Sequence, residues 1–558
     1  MSSLKQNRLE NFIFYILENR VKRMVVLLLT FLLFIGSIYL IPLEIVKAKM
    51  LPSKDSDTFS LYIDLPEGSS VSQTKKVSSC VAKFLQKENM VTSISIFLGE
   101  GLPLDFAGMV KGSALKEGEN VAEIMVNIQR AKLRDEQSFN MIHRIRPIIQ
   151  NECSLYGANI KFIELPSGPP VLADVVAEVY GGEGFVSRLA LSQKIAKVFE
   201  KQKTLVDVDI LADEPYIKYT LVLNNNKVLR SGVSLEQVKK ILYLAFEGLV
   251  IGVVNESNVQ NQIPIFLRLD DSRLFDKFEP SDVMSKLSNL KLMNTKGLMI
   301  PLSEFVTLKE EKQEPTLTSK NLTHMINVIA QTDMESQIYP LLDARQYILE
   351  NFTKEYEVSK TDMLNLSLKD KNTGEVFSLI FDGELKVTID TFIELGGAFI
   401  GALVLIFLLM VVYYKNFALA GAIVLTSFIS IIGVILGHLV MDMITPDTFY
   451  LTATSLIGFI ALIGINSRNS LLIIDFAKQI MKEQGLSASR AIAIATATRA
   501  KPILLTVLAI VFASSLLASD AVFGGLGVAL IGGTFIAYFV SLFFVPVTIL
   551  GSLQRLES

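Results

Sequence analysis

Six stretches of the chain are nearly free of charge, and one long charged stretch separates the first of them from the other five. The apolar runs fall at 24–43, 391–414, 418–440, 449–476, 500–518 and 524–550. Each is about as long as a bilayer core requires of a helix, roughly 20 residues. Ahead of them, residues 1–23 carry Lys5, Arg8, Arg20, Lys22 and Arg23, with Phe12, Ile13, Ile16 and Leu17 at helical spacing. That pattern predicts an amphipathic helix lying on the cytoplasmic face. The run from Met24 to Leu43 is too long for a signal-peptide core and no small-residue cleavage site follows it, so it reads as a retained anchor.

Residues 44–390 alternate between strand-like and helix-like periods. Strands are expected at Phe59–Leu65, Ile94–Leu98, Ala122–Ile128, Asn159–Leu165, Asp174–Tyr180, Val206–Ile210 and His324–Ala330. Helices are expected around Val77, Val81 and Phe84, over Asp135–Gln150, over Phe185–Lys201 and near Ser336–Glu350. The triplet Asn224-Asn225-Asn226 reads as a turn, and Ser234 with Gln237 as a capping box for a further helix. Repeated β-α-β units with short connections predict small α+β sandwiches.

Charge then orients the spans. Lys415 lies before the third span, and Lys478, Lys482, Arg490, Arg499 and Lys501 crowd the approach to the fifth. The loops 441–447 and 519–523 contain no Lys or Arg. The positive-inside rule places both termini in the cytoplasm and 44–390 on the far side. Half of the residues are hydrophobic and the mean hydropathy is +0.43, as expected of a membrane protein. A net charge of −3 argues against a nucleic-acid surface. The two cysteines, Cys80 and Cys153, have no metal-site spacing. Two unpaired buried thiols are expected, although a disulfide is chemically permitted outside the cytoplasm. His143, His324 and His438 are far apart, and no metal site, cofactor or catalytic constellation is expected.

One span is interrupted. In Leu456–Phe476, LIGFIALIGINSRNSLLIIDF, four polar residues arrive together: Asn466, Ser467, Arg468 and Asn469. An arginine inside a span costs at least ~2.5 kcal/mol at the bilayer centre and therefore turns toward protein or a water-filled path. The alternative is an arginine that snorkels to the cytoplasmic interface. The neighbouring asparagines and serine, which also need partners, favour a polar face.

Six spans with one large outer region between the first and second resemble one half of a resistance-nodulation-division (RND) transporter. Gly464-Ile465-Asn466-Ser467-Arg468-Asn469-Ser470, running on to Asp475-Phe476, resembles that family's tenth-helix motif. Lys501-Pro502-Ile503-Leu504-Leu505-Thr506 resembles its eleventh-helix opening. Gly168-Pro169-Pro170-Val171 with Val176–Gly181, Met50-Leu51-Pro52 and Leu65-Pro66-Glu67-Gly68 resemble its porter entries. The order of these motifs is that of the C-terminal half.

The resemblance implies an α+β membrane protein: a six-helix transmembrane half-bundle with a large periplasmic region of β-α-β porter and docking subdomains. Its expected organisation is a cytoplasmic segment 1–23, span 24–43, porter parts 44–220 and 313–390, a docking-like part 221–312, spans within 391–550 and a cytoplasmic tail 551–558. It implies proton-driven export of small molecules from the periplasm or the bacterial inner membrane, as a trimer of half-pairs with a periplasmic adaptor and an outer-membrane channel. Arg468, Asn469 and Thr506 would form the proton relay, and Phe106 and Met109 would line a substrate cleft. Met109 and Met125 are metal candidates by residue type only. The family usually has lysine where this chain has Arg468, and arginine keeps its proton. Asp390 and Glu394 read as an interface pair, and Asp475 lies near the cytoplasmic end, so the carboxylates that titrate are expected on a separate N-terminal-half chain. A homodimeric six-span protein and an inactive remnant of a split gene remain as alternatives. Nothing supports an enzyme.

Overall fold

The computed structural model describes residues 8–103, 108–109, 116–165, 168, 171–269 and 280–557. Phe106, Pro169 and Pro170 lie outside the described residues. Helix α1 (Arg8–Glu18) leads into α2 (Arg20–Tyr39), the first of six helices long and apolar enough to cross a membrane. Ile13, Ile16 and Leu17 do face one way on α1, but they pack into the bundle core beside Ile492 and Leu553 rather than onto lipid. A 2.6 Å ion pair between Glu10 and Arg490 fixes that docking.

The first sandwich contains β1 (Thr58–Asp64), α3 (Val71–Leu85), β2 (Val91–Glu100), β3 (Glu117–Ile128), α4 (Ser138–Cys153) and β4 (Asn159–Ile163). Its antiparallel sheet has the order β2-β3-β1-β4. Strand β1 is interior to the sheet, so both of its edges are paired, and the burial of Phe59 to Ile63 shows that both of its faces are covered as well. Phe59, Leu61 and Ile63 meet Val77, Val81 and Leu85 of α3, as the two periodicities require. Fully burying each such side chain contributes ~1.5–3 kcal/mol. The cysteines correct the expectation of free thiols: Cys80 on α3 and Cys153 at the end of α4 form a disulfide. Two helices packed on one sheet face bring their Cα atoms to 5.7 Å, a proximity that no sequence spacing of 73 reveals.

The second sandwich begins with β5 (Val175–Gly181), α5 (Phe185–Glu200) and β6 (Leu205–Leu211). The chain then leaves through β7 (Ile217–Leu223) into a smaller module. This holds α6 (Asn225–Ser231), α7 (Leu235–Phe246), the hairpin β8 (Leu249–Val254) with β9 (Ile263–Leu267), α8 (Pro280–Asn289) and the hairpin β10 (Lys291–Met293) with β11 (Met299–Pro301). Two readings are corrected here. The asparagine triplet is no turn: the Asn224 side chain accepts from Lys227 N at 3.0 Å and starts α6. Helix α7 begins after Ser234 as expected, yet no side-chain bond caps it there.

Strand β12 (Val306–Lys312) returns beside β7. The second sandwich is completed by β13 (Ser319–Lys320), β14 (Thr323–Thr332), α9 (Ile338–Asn351), β15 (Tyr356–Lys360), β16 (Leu366–Asp370) and β17 (Val376–Asp382). Its sheet runs β13-β14-β5-β17-β16-β15, with β6 also paired to β14. Gly383 joins β17 to the membrane at a φ of +89°, and a Cβ there would lie 2.6 Å from the Ala173 carbonyl oxygen. Only glycine makes that turn without strain.

The remaining spans are α10 (Glu384–Tyr414), the pair α11 (Phe417–Ile429) and α12 (Ile431–Ile444), α13 (Ala453–Gln484), α14 (Ala488–Ala518) and α15 (Gly524–Phe539), which continues through a π turn at Val540–Phe544 into α16 (Val545–Glu557). The third span is thus broken at Ser430. Arg490, Arg499 and Lys501 lie on α14 rather than in a loop, because that helix starts twelve residues before the apolar run. Close packing rests on small residues, as it does where lipid supplies no hydrophobic drive between helices. A Cβ on Gly433 would lie 2.2 Å from the carbonyl oxygen of Gly532. The backbones of α12 and α15 therefore touch.

The disulfide generates a prediction. The double variant Cys80→Ser/Cys153→Ser should lose ~2–4 kcal/mol in the first sandwich. Hydrogen exchange of peptides from β1 and β4 in the full chain measures this. Unchanged protection would show that the bond contributes nothing.

Candidate functional site: the polar seam of the fourth span

Helix α13 is closed at both ends. Ser455 accepts from Thr452 N at 3.1 Å, and Gly485 ends the helix in the left-handed region at φ 61°. Between these caps the helical period splits the polar cluster into two faces. Asn466, Ser467, Asn469 and Ser470 are buried inside the bundle. Ser467 meets Ser427 at 3.4 Å, and Ser470 meets Thr426 at 3.1 Å. Among the described residues, neither amide atom of Asn466, nor the nitrogen of Asn469, has a hydrogen-bond partner. Arg468 points the other way, on an exposed stripe with Ile457, Ala461 and Gly464. No hydrogen bond or ion pair joins it to another described residue. Leu505, Leu508 and Phe512 of α14 are also exposed.

The three residues expected to form a relay are not hydrogen-bonded to one another. Asn469 faces inward, Arg468 outward, and the Thr506 hydroxyl donates to the Pro502 carbonyl of its own helix at 3.1 Å. Asp475 sits two turns beyond Arg468 and accepts from the hydroxyls of Tyr414 at 2.8 Å and Tyr413 at 3.3 Å. It is thereby held to the end of α10. His438, fully buried on α12, was no candidate in the sequence. Its Nδ1 donates to the Val434 carbonyl and its Nε2 meets Ser455, both at 2.8 Å, so it braces α12 against the head of α13.

Of the cleft candidates, Met109 is 45% exposed and Met125 is half-buried on β3. The larger cavity lies elsewhere. It measures about 490 Å³ and is lined by Phe139, Met334, Met441, Asp447, Phe449 and Tyr450 among others. It sits where both sandwiches meet the loops of the third-to-fourth and fifth-to-sixth spans. No local pattern announces it, since its walls come from five separate parts of the chain. A smaller polar cavity, of about 90 Å³, contains Lys49, Arg146, Glu164 and Asp174. There the two sandwiches are joined by charge: Arg146 pairs with Asp207, and Lys161 with Asp209.

The family described as AcrB/AcrD/AcrF matches residues 1–550. The chain belongs to this family. Its members are permeases of the RND type, not enzymes. The chain is 24% identical over 541 residues to the swarming motility protein SwrC of Bacillus subtilis, covering 92% of this chain and 44% of that one. It is 22% identical to the multidrug export protein AcrF of Escherichia coli over 524 residues, covering 90% and 45%. It is 24% identical to the toluene efflux pump membrane transporter TtgB of Pseudomonas putida over 509 residues, covering 89% and 44%. Among solved structures, a heavy metal efflux pump superposes with a TM-score of 0.70 at 17% identity, over 98% of this chain and 52% of that chain. The RND fold is therefore shared, and the chain spans about half the length of the relatives it matches. With six apolar helices, this member of the family is a multi-pass membrane protein.

The charged seam between the sandwiches of this RND permease has a testable consequence. Burial pushes the Glu164 carboxyl up from 4.5 to about 7, against the opposing pull of Arg146 at 3.6 Å. About a third of the side chain is accessible, and the residue lines the smaller cavity. The folded chain thus holds a proton that the unfolded chain has released between about pH 4.5 and 7, so this residue's contribution to stability falls as pH rises through that window. Glu164→Gln should raise the melting temperature at pH 8 and leave it unchanged at pH 4. A thermal scan at both values checks this, and an equal shift at both would refute it.

Proposed function

We propose that this chain is the C-terminal half of a proton-driven RND efflux transporter, exporting small molecules from the periplasm or the membrane together with a complementary N-terminal half. The observation that carries the reading is Arg468, a fixed cation on an unpartnered stripe of α13. Among the described residues, no Asp or Glu lies mid-span in any of the six helices. A proton-driven cycle needs a group whose charge changes inside the membrane. Arginine stays protonated and threonine does not ionise. One or two intramembrane aspartates on the complementary half, set opposite Arg468, would fill this role. The arginine would stabilise them when ionised and release them on protonation.

The same reading places 44–390 in the periplasm and both termini in the cytoplasm. The Cys80–Cys153 disulfide supports this, because such bonds persist in oxidising compartments. It also assigns 44–220 and 313–390 to the porter and 221–312 to docking. The hairpin β8–β9 exposes Val250, Ile251, Ile265 and Phe266, as suits a partner-binding module. A trimer of half-pairs with a periplasmic adaptor and an outer-membrane channel completes the proposal. The named activities of the relatives range from multidrug export to toluene and heavy metals. Organic compounds are the favoured cargo in this reading.

Two experiments test the proposal. Arg468→Met, expressed with the complementary half, should abolish export driven by an imposed proton gradient while leaving protein amounts near normal. Loss of folded protein would instead assign the arginine to packing. Gradient-driven dye export by the chain without that half would revive the homodimer. For topology, thiols introduced by Ser231→Cys and Ser487→Cys should be labelled from opposite sides of the membrane. Labelling from one side would refute the orientation.

A further inference from the structure

We infer that Lys47–Met50 is a coupling strap that carries displacements of α13 to the second sandwich. Three backbone bonds hold this segment to the head of α13. Leu451 N donates to Lys47 O at 2.8 Å, Lys49 N to Leu451 O at 3.1 Å, and Ala453 N to Met50 O at 3.1 Å. Ala453 is the first residue of the helix that bears Arg468, which lies about 22 Å further along at 1.5 Å per residue.

The other side of the strap is bound to the head of α9. The Tyr339 hydroxyl accepts from Ala48 N at 3.0 Å, and the Ser336 hydroxyl donates to Ala48 O at 2.6 Å. Both backbone groups of one residue are thus taken by side chains of the second sandwich. Lys47 pairs with Glu335 at 2.6 Å in a half-buried setting, where a charge-assisted bond is stronger than in open water. The Tyr450 hydroxyl adds a bond to Met334 O at 3.3 Å. Gln337, fully buried, ties the same head of α9 to Thr388 on α10 at 2.8 Å.

A helix is stiff along its axis. A shift of α13 that kept these bonds would therefore move Lys47–Met50, and with it Glu335, Ser336 and Tyr339. Just beyond the strap, Pro52 and Ser53 line both the 490 Å³ and the 90 Å³ cavities. The strap is placed to alter both when α13 moves. Lys47, Glu335, Ser336 and Tyr339 act through the strap and are positioning residues. Their purpose rests on the transport reading, but the test does not.

The test is hydrogen exchange, read by mass spectrometry, on the full chain in lipid nanodiscs. Arg468→Met alters the charge carried by α13. With the strap intact, exchange in peptides spanning 335–342 should change about threefold or more. In the Lys47→Met/Ser336→Ala/Tyr339→Phe background, which removes the side-chain bonds between the strap and the head of α9, the same substitution should leave 335–342 unaltered, while the response at 451–456 persists. The exchanged pair Lys47→Glu/Glu335→Lys should keep the transmitted response. Peptides from β1 and β4 report whether each variant is folded, and Tyr339→Phe alone is the milder break. No response at 335–342 with the strap intact, or an equal response with it broken, would overturn the inference. A failed export assay would count against the transport reading alone.

Discussion

Water's absence is the constraint on which this structure depends. Within a bilayer every polar group must find a partner in protein or in a hydrated path. Helix α13 meets that demand unevenly. Ser467 and Ser470 reach hydroxyls on α11, but Asn466 and Asn469 keep unpaired amide atoms inside the bundle. Among the described residues, Arg468 has no hydrogen-bond or ion-pair partner on its own open stripe. Each unpaired buried amide costs ~1–3 kcal/mol.

The bundle tolerates this because the rest of it is tightly made. Gly433 and Gly532 bring α12 and α15 into backbone contact. His438 braces α12 on the head of α13. Helix α1 closes one end of the bundle through Ile13, Ile16, Leu17 and the Glu10–Arg490 pair. Outside the membrane the two sandwiches have separate apolar cores, and their contact is largely ionic, through Arg146, Lys161, Asp207 and Asp209.

What the sequence determined by itself is what short-range periodicity encodes. Nearly uncharged runs of about twenty residues or more marked the six spans, because helices of that length satisfy both the bilayer and their own backbones. Period-two alternation marked β1, β3, β5 and β14, and period 3.6 marked α3, α5 and α9, because one face of each must be buried. The polar run at Asn466–Asn469 was visible as a break in an apolar pattern, and the family resemblance followed from its neighbours. Tertiary structure decided what depends on distant segments meeting. Cys80 found Cys153 because two helices share a sheet face. The four polar residues of α13 divided into an inward neutral face and an outward cation only when α11 and the rest of the bundle packed around one side. The strap at Lys47–Met50 and the 490 Å³ cavity beneath the sandwiches are assembled from residues up to several hundred positions apart. No local pattern carries that information, since a backbone bond between Ala453 and Met50 places no demand on either side chain.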